Sequence, residues 1–175
     1  MNETPNGPAS DREWLRSLFA RYERPLVSYA AKLLAGDWDR ARDCVQDTFL
    51  RVCREPRSAL EDHVEAWLFK CCRHRAMDCH RKESRMFIQF ASEQVDRQSA
   101  PSPDPTQSLI SSEERQHLQR EIAALPPREQ EVLVLRLQQG LSYKQIAEVM
   151  DLSVSHVGVL IHQAVTRLKQ CVVDT

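Results

Sequence analysis

The sequence predicts an all-α protein made of two small helical domains joined by a flexible linker. Three observations carry that expectation. Apolar residues recur at three- and four-residue spacing through two long stretches, as one face of a helix requires. The 175 residues include only 4 glycines and 6% aromatics, which disfavours a sheet-rich sandwich. Leu, Ala, Arg, Glu and Gln are abundant instead, and these favour helices. Finally, residues 91 to 111, ASEQVDRQSAPSPDPTQSLIS, interrupt the pattern with Pro101, Pro103 and Pro105 among Ser, Gln and Asp. Such a stretch cannot build a core, and its prolines favour extended backbone.

The polar opening, residues 1–10, is expected to be disordered and has no signal-peptide character. No apolar run approaches the ~20 residues of a membrane span. Membrane insertion is therefore not expected, and a cytoplasmic location is. The six cysteines (Cys44, Cys53, Cys71, Cys72, Cys79 and Cys171) should then be reduced thiols.

The first domain is expected over residues 11–90. Trp14, Leu15, Leu18, Phe19 and Tyr22 mark a helix that Pro25 should break or kink before Leu26 to Leu34. Gly36 supplies a stop and Asp37 a new cap. Ala41, Val45, Phe49 and Val52 line a second helix that ends before Pro56. After the polar stretch EPRSALED, a third helix runs from about Val64 to Arg85, with Trp67, Leu68, Cys71 and Cys72 inward.

The second domain is expected over residues 112–172. Leu118, Ile122 and Leu125 form one stripe. Pro127 starts a new helix where its missing N–H costs nothing, with Glu129 and Glu131 near the positive end of its dipole. Val132, Leu133, Leu135 and Leu137 give that helix a core face, and Gly140 a left-handed stop. Ser142 and Gln145 then have capping-box spacing. Ile146, Ala147 and Met150 share one side, Leu152 fills a turn, Ser153 caps the next helix, and Val157 and Leu160 anchor it. This is a helix-turn-helix pattern, whose second helix enters the DNA major groove.

LPPREQEVLVLRLQQGLSYKQIAEVMDLSVSHV resembles the promoter-binding C-terminal domain of bacterial sigma factors. DRARDCVQDTFLRVCRE is similar to their polymerase-binding helix, and AWLFKCCRHRAMDCHRKESR to their −10-reading helix. With no third domain between the halves, the arrangement resembles the extracytoplasmic-function (ECF) sigma factors. The resemblance covers about Asp11 to Gln170. It implies a sigma region 2-like domain and a region 4-like helix-turn-helix domain. It also implies a protein that joins core RNA polymerase, recognises −10 and −35 promoter elements and promotes initiation, without being an enzyme. Implied partners are the polymerase, through its β′ clamp and β subunit, promoter DNA, and an anti-sigma factor of the kind typical in the family.

The implied sites follow the matched motifs. Asp43, Gln46, Asp47 and Arg51 fall in the motif that docks on the β′ clamp coiled coil, while Val45 and Phe49 should face the core. A polar helix face suits a charged partner helix. Lys70, Arg73, His74, Arg81, Lys82 and Arg85 fall on the −10 helix. There only Asp78 and Glu83 oppose the basic residues, a segregation hidden by the overall net charge of −1. Such a face binds phosphates. His74 stands where the family usually has Asn, which puts base reading by this position in doubt. The stretch EPRSALEDHV resembles the loop that captures an unstacked base.

For the −35 helix the resemblance points to Ser153, Ser155, His156, Gly158 and His162, backed by Arg128, Lys144 and Arg167. No Lys or Arg occurs from Ser153 to Thr166, where the family commonly has basic residues. Family likeness also places residues 91 to 111 in polymerase channels, where Glu93, Asp96 and Asp104 suit a basic wall.

Cys71, Cys72, His74, Cys79 and His80 raise a zinc reading. Adjacent cysteines point about 100° apart on a helix, which does not suit a four-ligand site. No metal or cofactor is expected. Two rival functions stand beside initiation: a regulator that binds DNA without polymerase, and a sigma-like interaction module with weakened DNA binding.

Overall fold

The computed structural model describes residues 8–87 and 120–173. The expectations for residues 1–7, for the linker at 91–111 and for the stretch from Ser112 to Leu118 lie outside the described residues. Within them every regular element is a helix, and the chain divides into two compact units, one within Met1–Ala100 and one within Pro101–Thr175.

In the first unit, α1 spans Pro8–Leu33. It starts inside the segment expected to be disordered. Proline is preset for a first helical turn, and Asp11 lies in that turn, where a negative charge meets the dipole. The helix also runs on through Pro25, contrary to the expected break. One lost hydrogen bond is outweighed there by packing on both sides of it. Leu18 and Tyr22 before the proline, and Leu26, Tyr29 and Ala30 after it, are all buried. At the end of α1, Gly36 N–H donates to the Ala31 carbonyl at 2.8 Å. The left-handed turn is shared by Ala35 (φ 54°) and Gly36 (φ 92°).

Helix α2, Trp38–Val52, starts as expected: the Asp37 side chain accepts from Arg40 N–H at 3.0 Å. A single turn, α3, forms at Arg57–Leu60 within the stretch read as loop, held down by buried Leu60. Helix α4 spans Val64–Phe87. Its buried stripe is Leu68, Phe69, Cys72 and Ala76. Trp67 and Cys71, expected inward, are only half-buried at its edges. The core includes Tyr29 and Phe69, edge to face at 5.4 Å, and α2 contributes buried Ala41, Val45 and Val52.

In the second unit, residues 120–124 are helical and α5 spans Pro127–Leu133, with Pro127 in its first turn as expected. The Gln130 amide donates to the carbonyls of Ala123 (2.9 Å) and Leu125 (2.7 Å), which ties the two helical pieces together. A π-turn at Val134–Gln138 follows. Val132, Leu133 and Leu135 are buried as expected, but Leu137 is 73% exposed. A wide turn carries an extra residue, so α-helical spacing from Leu133 no longer returns to the core. Gly140 takes φ 71°, the expected left-handed stop.

Helix α6, Tyr143–Met150, carries the complete capping box. Gln145 N–H donates to Ser142 Oγ at 3.2 Å, and Ser142 N–H to Gln145 Oε1 at 2.8 Å. Asp151 turns the chain at φ 54°. Helix α7, Val154–Val173, starts under Ser153, whose Oγ accepts from His156 N–H at 3.2 Å. Ile146, Ala147 and Met150 of α6 and Val157, Leu160 and Ala164 of α7 are buried.

Candidate nucleic-acid interface

Three outward helix stripes hold most of the residues singled out from sequence. On α2, Val45, Phe49 and Val52 are in the core, so the opposite side must face solvent. Asp43, Gln46 and Leu50 lie on that side at helical spacing, all exposed. Asp47 borders the same stripe, but its carboxylate is engaged: Arg75 Nε of α4 donates to Oδ2 at 2.6 Å. This bond, with the carboxylate charge, raises the Arg75 pKa. Arg51 is exposed at the margin. Leu50, 51% exposed, escaped the sequence reading. Its signal was available, since it stands seven residues after Asp43 and next to a core phenylalanine.

On α4, Lys70, Arg73, His74, Met77 and Arg81 form one stripe opposite Leu68, Cys72 and Ala76. Lys70 and Arg73 are half-buried, whereas His74 and Arg81 are exposed. Arg81 is ion-paired with Asp78, one turn back. Both partners are well exposed, so the pair is weak and can exchange Asp78 for a phosphate. Met77, 41% exposed, puts an apolar group in the middle of the basic stripe and was not anticipated. Lys82 and Arg85 continue the helix, but their side chains lie outside the described residues, as does that of His80. Arg57 salt-bridges Glu61 at 2.8 Å beside Ser58, on the single turn α3.

On α7, Ser155, His156, Val159 and His162 face solvent together, opposite Val157, Leu160 and Ala164. Ser153 is exposed at the cap. Gly158 stands at the margin, half-buried, where an added Cβ would meet Tyr143 Cε2 of α6 at 3.9 Å. Arg136 covers the same Tyr143 ring, 5.6 Å from its centroid. Arg128 and Lys144 are exposed near the starts of α5 and α6. Arg167 is exposed, but its Nε lies 3.2 Å from Glu129 Oε2, and that carboxylate is buried.

Cys72 is packed in the core, with its Sγ toward the Leu26 carbonyl, and burial pushes its thiol pKa well up. Burial also raises Cys71. Among the described residues, no group of three or more His, Cys, Asp or Glu could hold a metal ion, and no helix is long and apolar enough to cross a membrane.

Comparison with known proteins matches both units. A family model for sigma-70 region 2 matches residues 18–86, and one for sigma-70 region 4 matches residues 115–168. The chain is 26% identical over 160 residues to the RNA polymerase sigma factor YlaC of Bacillus subtilis, covering 91% of this chain and 92% of that protein. It is 28% identical over 171 residues to the ECF RNA polymerase sigma factor SigD of Mycobacterium tuberculosis, covering 94% and 80%. With the ECF RNA polymerase sigma factor SigE of Mycolicibacterium smegmatis it shares 29% over 136 residues, which is 78% of this chain but only 53% of that one. The sigma factor RpoE of Bartonella quintana, solved in complex with the anti-sigma factor NepR, has a similar fold: TM-score 0.67 at 22% identity, over 92% of this chain and 97% of that one.

Proposed function

From a chain that belongs to the ECF sigma factors of the sigma-70 family, we propose a division of labour among its three outward stripes. The α2 stripe of Asp43, Gln46, Asp47 and Leu50, flanked by Arg51, docks on the β′ clamp of core RNA polymerase. The α4 stripe of Lys70, Arg73, His74 and Arg81, continued by Lys82 and Arg85, meets the −10 region. The α7 stripe of Ser155, His156 and His162, with Ser153 and Gly158 at its margins and Arg128 and Lys144 beside it, meets the −35 region. The chain contributes recognition and melting, and the polymerase contributes catalysis, so the protein is not itself an enzyme. It works where the polymerase works, in the cytoplasm.

One observation supports this reading most. A single compact unit presents an acidic stripe with an exposed leucine on α2 and a basic stripe on α4. A protein that bound only DNA would have no use for the first, and a pure interaction module none for the second. The basic stripe attracts the DNA backbone, and its strength falls with salt. The α2 stripe offers charge complementarity around an apolar contact, the usual anatomy of a protein interface. The relative solved with an anti-sigma factor makes such a partner the expected means of holding this chain inactive.

Single-round transcription with purified core polymerase tests the proposal. Core enzyme plus this protein should yield promoter-dependent transcript, whereas neither alone should. Specific footprinting by the protein without polymerase, and no transcript with it, would favour the independent regulator.

A further inference from the structure

Cys44 of α2 and Cys79 of α4 place their sulfurs 3.9 Å apart. The two residues come from different helices and are 35 positions apart in the chain. Cys44 is 1% exposed, while Cys79 is half-buried, so the pair has one sheltered and one reachable member. Arg75 stands beside them, near enough to both thiols to interact electrostatically with each. We propose that Cys44 and Cys79 form a peroxide-sensitive modification site, a reversible disulfide that staples α2 to α4.

The chemistry balances with hydrogen peroxide as oxidant. The Cys79 sulfur attacks one peroxide oxygen; the O–O bond breaks and hydroxide leaves, taking up the Cys79 thiol proton as water. Cys79 is now a sulfenic acid. The Cys44 sulfur attacks the Cys79 sulfur; the S–O bond breaks, and the departing hydroxide takes the Cys44 proton as a second water. Two thiols and one peroxide become one disulfide and two waters. A disulfide needs about 2.05 Å between sulfurs, so the pair must close by roughly 1.9 Å, a distance within reach of side-chain rotation and a small shift of either helix.

The division of roles follows from the surroundings. Burial and the neighbouring Cys79 push the Cys44 thiol up to about 12, so it stays protonated at rest and does not react first. It acts as the resolving thiol once Cys79 is oxidised. Cys72 is fully buried beside them, with its sulfur toward the Leu26 carbonyl, which makes it the poorer partner for a solvent-borne oxidant. In a reducing compartment the pair rests as thiols, and disulfides there are characteristically transient and redox-sensing.

The experiment uses the full chain, treated with hydrogen peroxide, alkylated and digested with trypsin without reduction. Cleavage after arginines puts Cys44 in peptide 43–51 and Cys79 in peptide 76–81, each with one cysteine. The expected result is a linked pair two hydrogens lighter than the sum, lost on treatment with dithiothreitol. In Cys44→Ser the resolving thiol is gone, so the Cys79 sulfenic acid should persist and be captured by dimedone. Peroxide that leaves both thiols alkylatable would overturn the proposal and make them packed hydrophobes only. So would Cys79 linked to any other cysteine, or to a second molecule. The wild-type peptide map decides the matter even if Cys44→Ser fails to fold.

Discussion

Asp47 of α2 is bonded to Arg75 of α4, carboxylate oxygen to Nε at 2.6 Å, so the helix proposed to dock on polymerase and the helix proposed to meet DNA share an ion pair. Both side chains are more than two-fifths exposed, which limits the pair to about 0.2–1 kcal/mol. Asp43, one turn earlier, is exposed on the proposed docking stripe. Asp43→Lys should therefore weaken binding to core polymerase while leaving thermal stability unchanged. Asp47→Lys should weaken binding and also lower the melting temperature slightly, since it sets two cations against each other. Native affinity for core enzyme in both variants, measured by fluorescence anisotropy, would remove α2 from the docking surface.

The basic stripe of α4 makes a salt-dependent prediction. Replacing Arg73 and Arg81 with Ala removes two phosphate partners. Open-complex formation should fall, and the slope of log affinity against log salt should flatten by roughly two units, one per lost contact. Met77→Ala should reduce opening without changing that slope, because a thioether neutralises no phosphate. An unchanged slope in the double arginine variant would take this face off DNA.

The α7 stripe predicts a change of choice more than of strength. Ser155 and His156 supply donors and acceptors but little phosphate neutralisation, and a good base contact is worth about 1–3 kcal/mol of discrimination. Ser155→Ala with His156→Ala should alter the ranking of −35 promoter variants in holoenzyme transcription while total output on the best of them falls less. Equal effects on every promoter would argue against base reading. Gly158→Lys starts its side chain toward Tyr143, so its effect on DNA binding should be smaller than that of Val159→Lys, whose position lies within the stripe.

Stability offers two checks on the architecture. Ser142→Ala removes the oxygen that caps α6 and should cost about 0.5–2 kcal/mol in denaturant unfolding of the second unit. Pro25→Ala should stabilise the first unit. It restores an interior helix bond and removes the ring's clash with the preceding turn, which together cost about 3 kcal/mol in an interior helix position. Up to about 1 kcal/mol of this is offset by the freer unfolded chain. No gain would mean that the helix had already bent to recover the loss.

Much of this was legible in the sequence because the relevant signals are local. The Asp37 cap, Pro127 in a first turn, Gly140 and the Ser142–Gln145 box each depend on a few neighbouring residues, and each appears in the structure. The departures depend on more distant partners. Pro25 stays helical because residues on both sides of it bury against α2 and α4. Leu137 is exposed because a π-turn shifts its register. On α2 and α4 the site was read as a set of polar residues, so Leu50 and Met77 were passed over, although helical spacing alone puts them on those two stripes. The 3.9 Å approach of Cys44 and Cys79 was out of reach, since no pattern in the chain records which helices lie side by side.

Glu129 and Arg167 give the helix-turn-helix unit a sensitivity to its own length. The carboxylate sits 5% exposed at the head of α5, and the guanidinium 3.2 Å away comes from the last turns of α7, near without being aligned as a hydrogen bond. Leu168 beside it packs on Leu125, Leu133 and Ala164. A protease that clipped the chain after Thr166 would leave the exposed residues Ser155, His156, Val159 and His162 in the chain. It would also strand a buried anion with no counter-charge, and stranded buried charges are strongly destabilising. A trimmed copy would therefore tend to unfold and be cleared, instead of lingering as a shortened competitor of the intact chain.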